Sequence, residues 1–333
     1  MEQNKRRIPM PLRYGINTTL LIALILVGNQ MIARGVFNRA QTFVVLQIGI
    51  YIILAVSLNV TNGYLGQLAL GHAGFMAVGA YTSALLWKSL PLTGLPAIVL
   101  GILAAGVVAA LFGILIGIPA LRLKGDYLAI ITLGFGEIIR VCIINLPGLT
   151  GGTPGLLKIP KHSSFTVIYI CVILTCVVIH MVMKSRHGRA VLSIRENEIA
   201  AESCGIKTTY YKVMAFSLGA FFAGVAGALY AGLQGSLFPQ NFGFVESINI
   251  LVMVVLGGMG SMIGSIISAT VLTALPLALQ SLNEYRMIIF SLLLILVMIF
   301  KPSGLMGTYD FSLSRILERL LSLGQAKKEV RDQ

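Results

Sequence analysis

Leu256-Gly257-Gly258-Met259-Gly260-Ser261 interrupts an apolar run that extends over residues 248–279. As one helix the run would be about 48 Å long at about 1.5 Å per residue, against about 30 Å of hydrocarbon in a bilayer. Three glycines in four positions favour a turn there instead. The run therefore predicts two half-length helices, 248–256 extended by the glycine turn, and 264–279. That division decides how many times the chain crosses a membrane, and so on which side each loop falls.

The rest of the chain makes the membrane reading necessary. Of 333 residues, 56% are hydrophobic and 11% charged, against about 25% charged in a typical soluble domain. So little charge cannot coat a soluble surface of this size, which excludes a soluble enzyme, a disordered chain and a disulfide-stapled secreted domain. The four cysteines contain no C-x-x-C pair and read as small buried hydrophobes. The formal net charge of +13 follows from Lys and Arg in short loops between apolar runs, the pattern of cytoplasmic loops, and not from nucleic-acid binding.

Further apolar runs lie at 16–33, 43–60, 66–87, 95–119, 127–146, 165–183, 213–233 and 286–300. The loop 184–212 carries Lys184, Arg186, Arg189, Arg195, Lys207 and Lys212 and is assigned to the cytoplasm. Alternating outward from it puts 18 of the 25 Lys and Arg in cytoplasmic segments and six outside, with Arg140 inside a span. This holds only if 248–279 crosses twice. The prediction is an all-α integral membrane protein of about ten transmembrane helices with both termini cytoplasmic: a basic N-terminus 1–15, a transmembrane domain 16–307 with the cytoplasmic loop 184–212, and a C-terminal tail 308–333. Ten divides into two five-helix halves, and an odd-numbered unit is inverted relative to its twin. The glycine-broken stretches 63–79 and 257–264 fall at comparable places, the pattern of inverted halves with broken helices facing each other.

Three motifs could carry chemistry. In the first, residues 58–75, glycines 63, 66, 71 and 74 break a span that also holds Gln67 and His72. Irregular backbone at membrane depth needs protein or a wet cavity around it. Gln67, Gly71, His72 and Phe75 are thus candidates for a translocation path. The structural alternative is close packing at the glycines, with the polar groups bonded across helices. The second is Glu137 and Arg140, three residues apart on one helical face and expected to meet each other, either as a structural pair or as contacts for a zwitterionic solute. The third is the loop, where 197–204 reads as a short helix closed by Gly205 in the left-handed conformation. Ala200 and Ala201 make one side thin, suited to a groove on another protein, with ions at Arg195, Glu196, Glu198 and Glu202 placed to pair across that contact; the structural alternative is a solvated loop helix that touches nothing. The sequence contains no G-x-x-x-x-G-K-[ST] and no metal or catalytic constellation; no cofactor is expected.

At the third motif a resemblance becomes specific. Ala200-Ala201-x-x-x-Gly205 resembles the EAA motif of ABC importer permeases, with Ile199 where the family has Glu and Glu198 one place earlier. Gly63-Tyr64-x-Gly66-Gln67-x-x-Leu70-Gly71-His72-Ala73-Gly74-Phe75 resembles the permeases of branched-chain amino acid ABC importers, the LivM type more than the LivH type. Thr132-Leu133-Gly134, Leu149-Thr150-Gly151-Gly152, the 256–261 turn and Lys301-Pro302-Ser303-Gly304-Leu305-Met306-Gly307 follow in the expected order, so that the resemblance covers roughly residues 40–307. It implies a bacterial inner-membrane subunit that is not itself an enzyme, coupled through Arg195, Glu196, Glu198, Ala200, Ala201 and Gly205 to two ATP-binding subunits. A LivH-type second permease and an external solute-binding protein would complete the assembly, and leucine, isoleucine and valine would be the cargo. Urea or short-chain amides are the rival cargo within the same class. An ion-coupled secondary carrier and a passive channel are the rivals outside it, and neither needs the loop motif.

Overall fold

The computed structural model describes residues 37–89 and 94–280 continuously, together with positions 28–31, 34, 35, 288, 291, 292, 295, 299, 300 and 304. The predicted spans 16–33 and 286–300 and the tail 308–333 lie largely or wholly outside the described residues. Contacts divide the chain into a large unit, residues 39–308, and a second unit made of 1–38 and 309–333.

The large unit is helical. Helix α1 (Arg39–Asn59) runs into a wide π-turn (Val60–Tyr64), and an extended stretch then leads to α2 (His72–Ser89). Helices α3 (Leu95–Ala120), α4 (Asp126–Ile144) and α5 (Phe165–Lys184) follow. The short helices α6 (Arg186–Glu196) and α7 (Glu198–Ser203) occupy the basic loop, and α8 (Thr208–Gln234) leaves it. The 248–279 run is indeed two helices, α9 (Phe244–Gly257) and α10 (Met262–Ala278). Starts are set by side-chain caps: Ser185 accepts from the amides of His187 and Gly188, Asn197 from Ala200, and Ser261 from Gly264.

Five helices among the described residues are long and apolar enough to cross a membrane, namely α1 with its π-turn, α3, α4, α5 and α8, and the apolar helices α9 and α10 are shorter. The helices differ in what surrounds them. Helix α8 is mostly buried, with α3 and α2 packed along it, whereas α3, α4 and α5 turn much of their apolar surface outward. On α3, Leu95, Val99, Leu103, Val107, Leu111 and Leu115 are all exposed, a stripe that would aggregate in water and is at home in lipid. Its other face carries Gly101, Ala105, Ala109, Gly113 and Gly117, spaced by four and buried. Small residues at that spacing let backbones approach, the usual means of association where water supplies no hydrophobic drive. The approach is close: a Cβ on Gly224 of α8 would stand 2.5 Å from the Ala105 carbonyl oxygen, and one on Gly79 of α2 would stand 2.2 Å from that of Gly224.

Two boundaries differ from the sequence reading. The span expected at 66–87 starts as helix only at His72, because Gly66 takes φ +72° and the chain stays extended to Gly71. The span expected at 213–233 begins five residues earlier, at Thr208. Lys212, which marks that stretch as loop in the sequence, is buried in the helix with its ammonium on Glu198.

Candidate functional site

The glycine-broken stretch is held by side chains from other parts of the chain. Asn62 binds Ala69 twice: its Oδ1 accepts from the Ala69 amide at 3.1 Å and its Nδ2 donates to the Ala69 carbonyl at 3.4 Å. The Leu70 amide donates to Thr132 Oγ1 on α4 at 3.0 Å, and the Ala73 amide to Ser247 Oγ on α9 at 3.3 Å. Backbone groups of Ala69, Leu70 and Ala73 are thereby paired with side chains of α4, α9 and the π-turn.

The residues singled out from the sequence separate at this point. Gly71 lies against α4, where a Cβ would stand 2.3 Å from the Thr132 carbonyl oxygen. His72 is buried, its Nε2 2.8 Å from Ser57 Oγ on α1. Phe75 is buried edge-on against Phe216 of α8, ring centroids 5.4 Å apart. All three are packed between helices of this chain. Gln67 is half-buried and its side-chain oxygen finds no hydrogen-bond partner among the described residues. Its neighbour Leu68 is exposed.

Both glycine interruptions meet. The Gly260 amide donates to Asn59 Oδ1 at 2.9 Å across 201 positions. A Cβ on Gly63 would stand 1.9 Å from that same oxygen and 2.3 Å from the Gly260 nitrogen, so Gly63 admits only hydrogen there. Gly304, in the 301–307 motif, packs on Gly258 in the same way, where a Cβ would stand 2.4 Å from the Gly258 Cα.

Glu137 and Arg140 do pair, at 2.6 Å, and both side chains keep about a third of their surface (31% and 28%). The other carboxylate oxygen of Glu137 accepts from the Phe244 amide at 2.9 Å. Phe244 is the first residue of α9, so the carboxylate caps a neighbouring helix where orphan amides and the helix dipole favour a negative charge. The sequence pattern reveals the pair but carries no signal for Phe244. At the same end, Leu156 and Leu237 exchange backbone bonds of 2.8 and 2.9 Å.

In the loop, Glu198 receives Lys212 at 2.7 Å and Lys124 at 3.3 Å. Partial burial pushes its carboxyl up, but the two ammoniums outweigh this and hold it below the ordinary carboxylate range. The Arg195 guanidinium donates to the Gly63 carbonyl at 3.0 Å. The sequence pattern turns these two ions toward a partner, and the structure uses both within the chain. Ala201 is buried, while Glu196, Ile199, Ala200 and Glu202 face outward. Gly205 closes α7 with φ +82°, as expected, and no atom lies near where its Cβ would be. Ile199, 74% exposed, is the large apolar residue of that face; in the sequence it stands out only as a departure from a motif.

Comparison with known proteins matches residues 40–298 to the family model described as branched-chain amino acid transport system / permease component. The chain is similar to the high-affinity branched-chain amino acid transport system permease protein LivM of Salmonella typhimurium, 38% identical over 90% of this chain and 75% of the relative. It is 37% identical to the protein of that name from Escherichia coli K12, over 86% and 73%. The Escherichia coli K12 permease protein LivH is 28% identical over 77% and 91%. No solved structure matches. A family match across the whole helical body, joined to the apolar outer faces of its helices, makes this a membrane protein, and the chain belongs to the branched-chain amino acid transport system permease family.

Proposed function

We propose that the chain is the LivM-type permease subunit of an ATP-driven importer for branched-chain amino acids, in a bacterial inner membrane. The observation that carries the coupling to ATP is the α6–α7 pair. Capped by Ser185 and Asn197, closed by Gly205 and pinned through Glu198, it is a stiff projection whose outer face presents Ile199 and Ala200 between Glu196 and Glu202. A narrow apolar ridge with flanking charge suits a groove on a soluble ATP-binding subunit. Two such subunits, a LivH-type second permease and an external solute-binding protein complete the assembly, and the partners hydrolyse the ATP.

The topology that fits is ten spans in two inverted halves, with 1–15, 184–212 and 308–333 in the cytoplasm around a transmembrane domain 16–307. The meeting of Gly63 with Gly260 supports pairing the two interruptions as counterparts. Gln67 and Leu68, which keep surface where Gly71, His72 and Phe75 do not, form this chain's share of the translocation path.

Co-expression with candidate ATP-binding subunits tests the reading. The chain should co-purify with one, and Gly205→Val, which forces a β-branched residue into a left-handed position, should weaken that association and uncouple hydrolysis from uptake while the chain still inserts. Co-purification and uptake unchanged by Gly205→Val would count against the docking role. Cysteine labelling from outside should reach positions near Leu149 and Asn241 but not Ser193.

A further inference from the structure

Arg195 stands in the last turn of α6, and its side chain, 33% exposed, also reaches the body of the protein. Its Nη1 donates to the Gly63 carbonyl at 3.0 Å, 132 positions away. Its aliphatic stem lies in the space that Gly66 leaves, where a Cβ would stand 2.9 Å from Arg195 Cγ. A Cβ on Gly260 would stand 3.0 Å from Nη1. One side chain therefore touches the first interruption twice and the second once, at the point where Asn59 already joins them. The ionic alternative is weaker: Glu196 is 4.0 Å away and its side chain is 79% exposed.

The chemistry suits the position. Gly63 is in the last turn of the α1 helical run, where carbonyls run out of amide partners and the helix dipole is negative. A guanidinium is the side chain best matched to such an end, since it is planar, permanently charged and rich in N–H groups. The loop helices are tied to α8 through Glu198 and Lys212, and to Gly63 and Gly260 through Arg195.

We propose that Arg195 is the positioning residue that links the loop helices to both glycine interruptions, so that displacement of α6–α7 by an ATP-binding partner opens or closes the 63–66 and 258–261 junction. This rests on the permease reading above. The variants are Arg195→Met, which keeps the stem on Gly66 and removes every donor, and Arg195→Lys, which keeps one charged donor. Each is reconstituted in vesicles with the second permease, the ATP-binding subunits and the binding protein.

Arg195→Met should assemble and hydrolyse ATP within about twofold of the unmodified complex. Solute moved per ATP should fall by about 10-fold or more, with Arg195→Lys in between. Unchanged solute per ATP in Arg195→Met would overturn the proposal. Failure of both variants to assemble would also overturn it, by making Arg195 a packing or docking residue. If the unmodified chain binds no ATP-binding subunit, it is the permease reading that fails, and that outcome appears before any variant is made.

Discussion

The body of the protein is closed in two different ways at its two ends. At the end that carries α6 and α7, backbone meets backbone at Gly63 and Gly260, and one asparagine and one arginine tie together segments more than 130 positions apart. At the other end the ties are a carboxylate about a third exposed on the first amide of α9 and a backbone bridge between Leu156 and Leu237. The first junction leaves no room for a Cβ at Gly63, and the Asn59 side chain bridges it to the Gly260 amide. The second has its own close approach at Gly155 and differs in carrying partly exposed ions on the first amide of α9.

The sharpest way to break that contrast is one methyl group at each end. Gly63→Ala drives Cβ into the Asn59 side chain and the Gly260 backbone, neither of which can retreat without parting the interruptions. It should cost about 3 kcal/mol or more and abolish recovery of folded protein. Gly243→Ala meets nothing closer than 3.6 Å and should be within about 0.5 kcal/mol of neutral. Comparable recovery and melting of the two variants would remove the distinction.

Next in size is His72→Ala. The imidazole is buried on Ser57, so its loss should cost about 1–3 kcal/mol in stability and lower the yield of assembled protein. Uptake per assembled molecule should stay as it was. A fall in uptake at full assembly would instead put His72 in the translocation path.

At the opposite end, Glu137→Gln should cost about 1 kcal/mol or less, because an amide oxygen can still accept from Phe244 and the ion pair is partly screened. Thermal melting in low and high salt checks this; the deficit should shrink as salt rises.

An effect of similar size is expected at Glu198. A carboxyl held below its ordinary range by Lys212 and Lys124 contributes stability that is present above the unfolded carboxylate range and is lost as pH falls through the folded value. Glu198→Gln should therefore melt lower than the unmodified protein at neutral pH, by about 1 kcal/mol, and the two should converge in acid. A gap that persists in acid would assign the loss to packing.

Much of the architecture is legible in the residues. Three glycines in four positions split 248–279 where the structure splits it, and Ala200-Ala201-x-x-x-Gly205 marks a helix that ends at a left-handed glycine. What the sequence does not carry is partnership. Nothing near Asn59 in the chain points to Gly260, nothing near Glu137 points to Phe244, and Thr132 and Ser247 look like ordinary helix residues until they receive the amides of Leu70 and Ala73. Charge also misleads locally. Lys212 reads as loop because a free ammonium is costly in an apolar helix, and Glu198 removes that cost from 14 positions away. Arg195 and Glu198 likewise have internal partners, the Gly63 carbonyl and Lys212, that spacing does not reveal.

The most direct test of the importer reading is uptake itself. The chain would be reconstituted in vesicles with its second permease, ATP-binding subunits and binding protein, with nucleotide supplied on the side that carries α6 and α7. Leucine, isoleucine and valine should accumulate only when ATP is hydrolysed, and urea should neither compete nor be carried. Leucine movement driven by an ion gradient without ATP, or ATP-driven uptake of urea in place of leucine, would contradict it.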